Sequence, residues 1–336
     1  MEFTLHTDFS TINPQDWNTL VEAGISDTPF SRYEYLSQWW QTRGGGEWKQ
    51  AELALVSASE NGKLIGIAPL FKTDYDGRAA LLLVGSIEIS DYLDLIVRAE
   101  DLPRFLTGLF DFLVHSGLQE GTACDWYNLP DSSPTLAALK AESERRGWTY
   151  RQEIYRPTPR IALNGSFEEY LARIEKKQRH EIKRKMRRAA EYEVPVRFYI
   201  VEDAAMLDSE IEAFFSLMIQ DPNKALFLKD DMHLQMMSVL HAAFEQGYLW
   251  LAFLEVGGVK AAAAVNFDYK NKLWGYNSGV NRDFMELSPG WVLLGHQIQW
   301  ACEHGRTEFD FMRGDEEYKY RLGGVNKFVM RAVIAK

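Results

Sequence analysis

The sequence predicts a protein of the α+β (α/β) class, built from two tandem domains that each contain a mixed central sheet flanked by helices. Three observations support this prediction. The chain has 336 residues, 46% of them hydrophobic, which is enough for two domains with separate cores. The spacing of apolar residues changes repeatedly between the strand and helix periods. The two halves also repeat one order of elements without sequence identity, which suggests duplication of a single module.

In the first half, helices precede and follow an extended region. Asn13-Pro14 is a helix-start signal, and the Trp-rich segment 30–40 places Trp39 and Trp40 at helical spacing. Segments 51–58 and 64–71, separated by Asn61-Gly62, predict a hairpin. A turn at Asp76-Gly77 precedes the other elements, which are strands at 79–84, 91–97 and 123–129 and helices at 102–115 and 134–146.

The second half repeats this order. Its predicted strands are 196–201, 248–255, 259–269, 273–280, 308–312 and 328–334, and its predicted helices are 204–219, 231–245, 289–304 and 315–321. We therefore expect an N-terminal domain at 1–160, a connecting helix within 161–195, and a C-terminal domain at 196–336 that carries the active site.

Composition narrows the classes of function. Cys124 and Cys302 have neither metal-ligand nor redox spacing. The seven histidines form no metal-binding pattern, and no serine lies in a Gly-x-Ser-x-Gly context, so we predict no metal and no serine nucleophile. The N-terminus lacks a signal-peptide pattern and no window reaches the roughly 18 apolar residues of a membrane span, so we expect a cytoplasmic protein.

The charge is distributed unevenly along the chain. The net charge is −11, which argues against binding of nucleic acid by the whole surface. The segment from Arg173 to Arg188, however, contains nine basic residues and only two acidic ones. Apolar residues recur at three- and four-residue steps from Phe167 to Ala190, so a continuous helix with one apolar stripe and otherwise basic faces is predicted. Its basic surface suits the binding of an acyl carrier protein, a tRNA or the phosphates of CoA. The alternative is a solvated helix with no such partner.

The densest group of charged residues lies between Glu308 and Tyr320. A strand here sends Phe309 and Phe311 to one face and Asp310 to the other. Gly314 then ends the strand, and Asp315 is placed to cap the helix that follows. The end of a strand at the start of a helix is a common location of α/β sites, although a structural ion pair between Asp310 and Arg313 explains the same charges.

A second group precedes the helix predicted at 289–304. It contains Asn277, Ser278 and Gly279, followed by Ser288-Pro289-Gly290. Proline is favoured at the first helical position and Ser288 is a good N-cap. The donors at such a helix start are able to hold an anion such as pyrophosphate, although simple capping accounts for the same residues.

Taken together, these motifs resemble a known family. The run from Ser288-Pro289-Gly290 to Tyr318-Lys319 resembles the C-terminal half of the CelD/BioF-type acyltransferases, which are distantly similar to the Fem aminoacyl-tRNA-dependent peptidyltransferases. The basic segment 167–188 resembles the element that precedes that half. The Trp-rich segment and Ile67-Ala68-Pro69-Leu70 are similar to the family's first domain.

The resemblance implies a tandem GNAT fold in which an amine attacks an activated acyl group directly. Asp310 would orient or deprotonate the amine, and Tyr318 would protonate the leaving group. Donors at Asn277, Ser278 and Gly279 would contact the acyl carbonyl, with Ser288 and Gly290 completing the cofactor site. The substrate-binding residues would be Arg313, Asp315 and Lys319, of which Arg313 and Lys319 would hold a carboxylate or phosphate.

One departure from the GNAT pattern leaves the identity of the acyl donor undecided. Acyl-CoA-binding GNAT enzymes cradle pyrophosphate with a Gly-rich loop, whereas segment 281–290 has one glycine and a proline that lacks an N–H. Acyl-CoA is the expected donor, and acyl carrier protein or charged tRNA is the alternative. The expected acceptor is a primary amine on a small molecule or envelope precursor, and a non-catalytic fold that binds a metabolite or carrier is the third possibility. The sequence leaves the oligomeric state open.

Overall fold

The computed structural model describes residues 1–48, 50–75, 77–229 and 231–336, so Asp76 of the predicted turn lies outside the described residues. The chain forms two compact units. The first contains Met1–Pro157 and Lys327–Lys336, and the second contains Thr158–Asn326. Both units combine a sheet with helices, as the sequence predicts.

The first unit begins with the chain's N-terminal elements. Its helices are α1 (Pro14–Ala23), α2 (Tyr33–Arg43), α3 (Leu102–His115) and α4 (Pro134–Arg146). Its first seven strands are β1 (Glu2–His6), β2 (Ala51–Glu60), β3 (Lys63–Tyr75), β4 (Arg78–Leu83), β5 (Ile96–Val97), β6 (Ala123–Pro130) and β7 (Thr149–Pro157).

The predicted hairpin is confirmed as β2 and β3. Asn61 and Gly62 both have positive φ, 52° and 74°, which is the conformation that a tight hairpin turn requires. The strand predicted at 91–97 is shorter than expected, because only Ile96–Val97 pair with β3. The preceding residue Asp94 is buried, and its carboxylate accepts hydrogen bonds from Ser133 and Thr135 at the start of α4.

The second unit carries the remaining helices. These are α5 (Phe167–Arg173), α6 (Lys176–Ala190), α7 (Leu207–Met218), α8 (Pro222–Phe227), α9 (Asp231–Glu245), α10 (Pro289–Glu303) and α11 (Glu317–Arg321). The strands are β8 (Arg160–Ala162), β9 (Val196–Ile200), β10 (Leu249–Val256), β11 (Val259–Tyr269), β12 (Lys272–Val280) and β13 (Glu308–Asp310), in the spatial order β8-β13-β12-β11-β10-β9. Strands β12 and β13 are parallel, and the other neighbours are antiparallel.

The last strand, β14 (Phe328–Ala335), corrects the predicted organisation. It was expected in the C-terminal domain at 196–336, but it pairs with β6 and β7 in the first unit, where the order is β1-β2-β3-β4-β6-β14-β7. Arg331 of this strand makes a bidentate ion pair with the buried Asp125 of β6, at 2.7 and 2.8 Å. At the other boundary, residue 160 lies in β8, which pairs with β13 of the second unit.

The predicted continuous basic helix is also corrected. It is two helices, because Ile174 takes an extended conformation (φ −84°, ψ 164°) between α5 and α6. The buried Ile174 side chain joins the apolar core beneath both helices, which explains the break. Helix α6 belongs to the second unit and packs on α10 through Ile182 and Met186, so it is part of that domain and not a separate connector.

Candidate active site

The candidate site lies where two parallel strands of the second unit separate. Strand β12 has nine residues, and only its first three pair with β13, ending at Trp274 opposite Asp310. The chain then turns away, and the N–H of Phe311 donates to the carbonyl of Pro159. Within the described residues, no strand pairs with this edge of β12 beyond Trp274, so main-chain groups of residues 275–280 line an open notch.

A β-bulge occurs at the same point of β12. Asn266 of β11 is opposite Gly275, while the preceding Val265 is opposite Asn277, so Tyr276 is an extra residue. A bulge redirects the side chains that follow it, and bulges are frequent beside active sites. Here it changes which face of the sheet Asn277 and Gly279 occupy. This is the region that the sequence singled out as a possible source of donors to a carbonyl.

Asn277 and Ser278 are held by a lysine that the sequence analysis missed. The Lys224 ammonium donates to Asn277 Oδ1 at 2.9 Å and to the Ser278 carbonyl at 2.6 Å. Lys224 lies on α8, a helix that was not predicted. The pair Asp221-Pro222 was the available signal, because Asp221 caps this helix and proline occupies its first position.

Glu316 and Tyr318 lie at the start of α11, which follows the turn after β13. The Tyr318 side chain is 40% exposed and packs edge-on against Phe311. Partial burial and the nearby Glu316 carboxylate raise its pKa to about 12, so the phenol stays protonated at neutral pH. Burial lowers the pKa of Lys224, while the carboxylates of Asp221 and Glu316 act in the opposite direction. Glu316 is therefore close enough to influence both Lys224 and Tyr318.

Asp310 is enclosed in the structure. Its side chain is fully buried, and its Oδ2 lies 3.0 Å from Arg160 Nε, the residue opposite it on β8. Its Oδ1 accepts the N–H of Met312 at 2.8 Å. The ion pair with Arg160 joins residues 150 positions apart, which sequence spacing could not indicate. Because Asp310 has no exposed surface, the geometry favours a positioning role over direct proton transfer.

Lys319 is occupied by the protein itself. It is only 2% exposed, and its ammonium donates to the carbonyls of Met312, Arg313 and Gly314 at 3.2, 2.7 and 3.3 Å. It also pairs with Glu316 at 2.9 Å. The predicted binding of substrate by this ammonium is not supported, because its donors are used to hold the loop.

Two other predicted substrate-binding residues have different positions from those expected. Asp315 is exposed but does not cap α11, because the N-cap position belongs to Glu316, which makes no side-chain capping bond. Arg313 is half-buried at the turn after β13. Both residues lie between β13 and α11, and contact with a substrate stays a prediction for each.

The start of α10 differs from the predicted anion site. Ser288 is at the N-cap position, but it is left-handed (φ 51°) and its side chain makes no capping bond. The N–H groups of Trp291 and Val292 donate to the Ser288 carbonyl, and Pro289 has no N–H. This turn therefore fits a pyrophosphate poorly.

Gly279 has a packing reason to be glycine. A Cβ built on it would lie 2.5 Å from the Met218 nitrogen and 2.6 Å from the Leu217 carbonyl carbon, both backbone atoms of α7. At Gly290 a Cβ would meet only a methyl of Val280 at 3.3 Å. The absence of a side chain at Gly279 thus allows α7 to pack closely on β12. This gives Gly279 a structural role next to Asn277 and Ser278.

The basic face of α6 is partly neutralised by the protein's own acids. Lys183 pairs with Glu168, and Arg184 and Lys185 pair with Glu181. The C-terminal end of α6 borders a cleft of about 520 Å³ next to segment 282–287, which precedes α10. The cleft is lined by Arg184, Arg187, Arg188, Glu191, Tyr192, Glu193 and Glu286.

The described residues form neither a metal-binding group nor a membrane-spanning helix. In the described part of the chain, no three His, Cys, Asp or Glu side chains are grouped closely enough to hold a metal ion. No helix within the described ranges has the length and apolar character needed to cross a membrane.

Comparison with known proteins assigns the fold. Residues 176–320 match the model of the acetyltransferase (GNAT) domain family. No curated protein sequence matches the chain significantly. Among solved structures, the chain is similar to FemX, with 13% identity, a TM-score of 0.67, and coverage of 98% of this chain and 97% of that one.

Two further structures resemble the whole chain. L-PGS from Bacillus licheniformis is 12% identical with a TM-score of 0.58, over 96% of this chain and 91% of that one. A tandem GNAT protein from the clavulanic acid biosynthesis pathway is 11% identical with a TM-score of 0.51, over 100% and 98%. At these identities the likeness concerns the fold, which is a tandem arrangement of GNAT-type domains.

Proposed function

We propose that this protein transfers an acyl group from a thioester donor, acyl-CoA or an acyl carrier protein, to a primary amine of a small molecule or cell-envelope precursor. The observation that carries the proposal is the notch in a GNAT-type domain, where β12 bulges at Tyr276 and loses its parallel partner after Trp274. Such an edge offers backbone donors to a carbonyl oxygen.

The transfer step needs three functions. The amine nitrogen attacks the thioester carbonyl carbon, a C–N bond forms, and the C–S bond breaks as the amine loses a proton and the thiolate gains one. We assign donation to the carbonyl oxygen to the segment Asn277–Gly279 and protonation of the thiolate to Tyr318. Glu316 is 58% exposed beside Tyr318, so we assign it uptake of the amine proton, while Asp310 and Lys319 position the loop.

Two thioesters, acyl-CoA and an acyl carrier protein, are candidates for the acyl donor. The turn that begins α10 lacks the set of N–H groups of a Gly-rich phosphate loop, which weighs against tight binding of pyrophosphate there. The arginines bordering the cleft next to segment 282–287 supply positive charge near the same turn. An acyl carrier protein, which is acidic, fits the exposed face of α6 as well as free CoA does.

A donor panel tests the proposal. The protein is incubated with acetyl-CoA, longer acyl-CoA thioesters and acyl carrier protein, each with a mixture of primary amines, and amide products are followed by mass spectrometry. We expect one thioester to raise the melting temperature and give an amide at a rate that Asn277→Ala lowers. Absence of amide with every thioester, or an unchanged rate in Asn277→Ala, would reject the proposal.

A second candidate is aminoacyl transfer from charged tRNA, as the resemblance to the Fem peptidyltransferases implies. The observation in its favour is that Lys176, Lys177, Arg187 and Arg188 of α6 are exposed, and the described residues include no carboxylate paired with them. Binding of tRNA through these groups would weaken steeply with salt. The panel therefore includes charged tRNA at two salt concentrations. Binding without turnover for every donor would favour the non-catalytic alternative.

A further inference from the structure

The contact between Lys224 and Asn277 joins a short helix to the open edge of the sheet. Asp221 accepts the N–H groups of Asn223 and Lys224, at 2.8 and 3.3 Å, which fixes the turn from which the lysine extends. The ammonium then reaches β12, where it donates to Asn277 Oδ1 and to the Ser278 carbonyl. Two of its three N–H groups are thereby directed at the strand.

These contacts determine the orientation of the Asn277 amide. Its Oδ1 accepts from the Lys224 ammonium at 2.9 Å and from the Ser278 N–H at 2.8 Å. An amide oxygen has two lone pairs, so both acceptor positions are filled. Rotation of the amide by 180° about χ2 would set its NH2 group against two other donors, one of them charged. The observed orientation is the one in which the oxygen faces Lys224 and the NH2 group faces away.

We propose that Lys224 is a positioning residue that locks the Asn277 amide, so that its NH2 group serves as a fixed hydrogen-bond donor to the thioester carbonyl oxygen. This inference rests on the proposed function. Asn277 directly follows the bulge at Tyr276 and lies on the part of β12 that has lost its parallel partner. A donor held in place before the reaction stabilises the developing oxyanion without a reorganisation cost.

Kinetics of four variants test the catalytic part. With the thioester that the donor panel identifies, we expect Lys224→Met and Asn277→Ala each to lower kcat about 10- to 100-fold with little change in KM for the donor. The double variant should lose no more than Asn277→Ala alone, since Lys224 acts through Asn277. Lys229→Met is the matched control, because Lys229 is exposed five residues further along, and it should keep full activity. Additive losses in the double variant would overturn the proposal.

A measurement on the free protein separates this inference from the proposed function. The Asn277 NH2 signals in a ¹⁵N–¹H spectrum are assigned by their absence in Asn277→Asp. We expect a weak or absent NOE between these protons and the Ser278 N–H in the wild type, because Oδ1 faces that N–H, and a stronger NOE in Lys224→Met, where the Ser278 N–H is the one remaining donor to Oδ1 of the two described. A strong NOE already present in the wild type, or no change in Lys224→Met, would refute the locking. If no thioester is turned over, the proposed function fails while this spectrum still decides the orientation.

Discussion

Asp310 and Lys319 hold the same residue from its two ends. The Asp310 carboxylate accepts the N–H of Met312, and the Lys319 ammonium donates to the carbonyl of Met312. Met312 has a positive φ of 61°, which is unfavourable for a residue with a side chain. The two charged side chains therefore stabilise the strained turn that separates β13 from β12 and opens the notch.

Removal of the Lys319 ammonium should loosen this turn. In Lys319→Met three backbone carbonyls lose their donor in a buried place, so we expect a loss of about 3 kcal/mol in the free energy of unfolding. Hydrogen exchange of peptides covering 311–316 should rise. Lys272→Met is the control: Lys272 pairs with Glu308 on the same sheet but is 33% exposed, so its loss should cost less than about 1 kcal/mol. Equal exchange in both variants would contradict the role of Lys319.

The Tyr318 hydroxyl should matter for rate and not for folding. Tyr318→Phe keeps the ring contact with Phe311, so we expect unchanged thermal stability and a kcat lower by about 100-fold. Because the pKa of Tyr318 is about 12, its deprotonation should cause no loss of kcat between pH 7 and about pH 11. The matched control is Tyr320→Phe, whose hydroxyl donates to Asn326 away from the notch. A Tyr318→Phe enzyme with wild-type kcat would remove Tyr318 from the proposal.

Gly279 and Gly290 should respond differently to alanine. In Gly279→Ala the new Cβ meets backbone atoms of α7 at 2.5 and 2.6 Å, which neither helix nor strand can avoid without moving. We expect a loss of about 1–3 kcal/mol and faster hydrogen exchange in α7. Gly290→Ala should be close to neutral for stability, because its neighbour is one methyl at 3.3 Å. The opposite order of stabilities would contradict the close packing of α7 on Gly279.

The buried Asp94 should give the first unit a pH-dependent stability. Burial, acting against hydrogen bonds from Ser133, Thr135 and Leu95, raises its pKa from 3.8 to about 6. The folded protein thus binds this proton more tightly than the unfolded chain. The protonated Asp94 therefore contributes its full stabilisation of the fold below about pH 4, and this stabilisation is lost as the pH rises through about 6. The shift corresponds to about 3 kcal/mol.

Urea unfolding at several pH values measures this effect. The stability of the wild type relative to Asp94→Asn should fall by about that amount between pH 4 and pH 7. Asp74→Asn, at an exposed position of the same unit, serves as the control and should show no such trend relative to the wild type. If the stability of the wild type relative to Asp94→Asn instead rose with pH, the raised pKa of Asp94 would be contradicted.

The ion pair between Arg331 and Asp125 should be essential to the first unit. Asp125 is 1% exposed, so Arg331→Met leaves a buried carboxylate without its partner, and we expect a cost of about 3–5 kcal/mol. Faster hydrogen exchange should appear in β6 and β7, the strands beside β14. Adding Asp125→Asn should restore part of the loss. Arg321→Met is the control, since Glu317 is 77% exposed and that pair should contribute less than about 1 kcal/mol.

Much of the fold was readable from local patterns. The hairpin of β2 and β3 follows from alternation around Asn61-Gly62, and α3 follows from its apolar spacing with Pro at its start. The proposed site also draws on sequence motifs, because Asn277 and Tyr318 lie in segments that the sequence singles out. These features depend on neighbours a few residues apart, and the period of apolar residues records such neighbours directly.

The assignments that failed depend on contacts between distant segments. The sequence predicts a catalytic Asp310, but Arg160, 150 residues earlier, lies opposite it on β8 and pairs with its buried carboxylate. Nothing in the sequence distinguishes Lys319 and Lys224 from the other lysines. In the structure, however, Lys319 donates to carbonyls of the turn after β13, and Lys224 donates to Asn277. Strand β14 is evident from its pattern, but its place between β6 and β7 is not.

The sequence by itself thus determined the alternation of strands and helices, the two-part organisation and the segments that carry polar groups. Only the tertiary structure decided which charged groups face solvent, which are consumed by ion pairs, and which unit the last strand completes. The physical reason is that secondary structure is encoded in short-range spacing, whereas burial and pairing of a charge depend on the residues that the fold brings beside it.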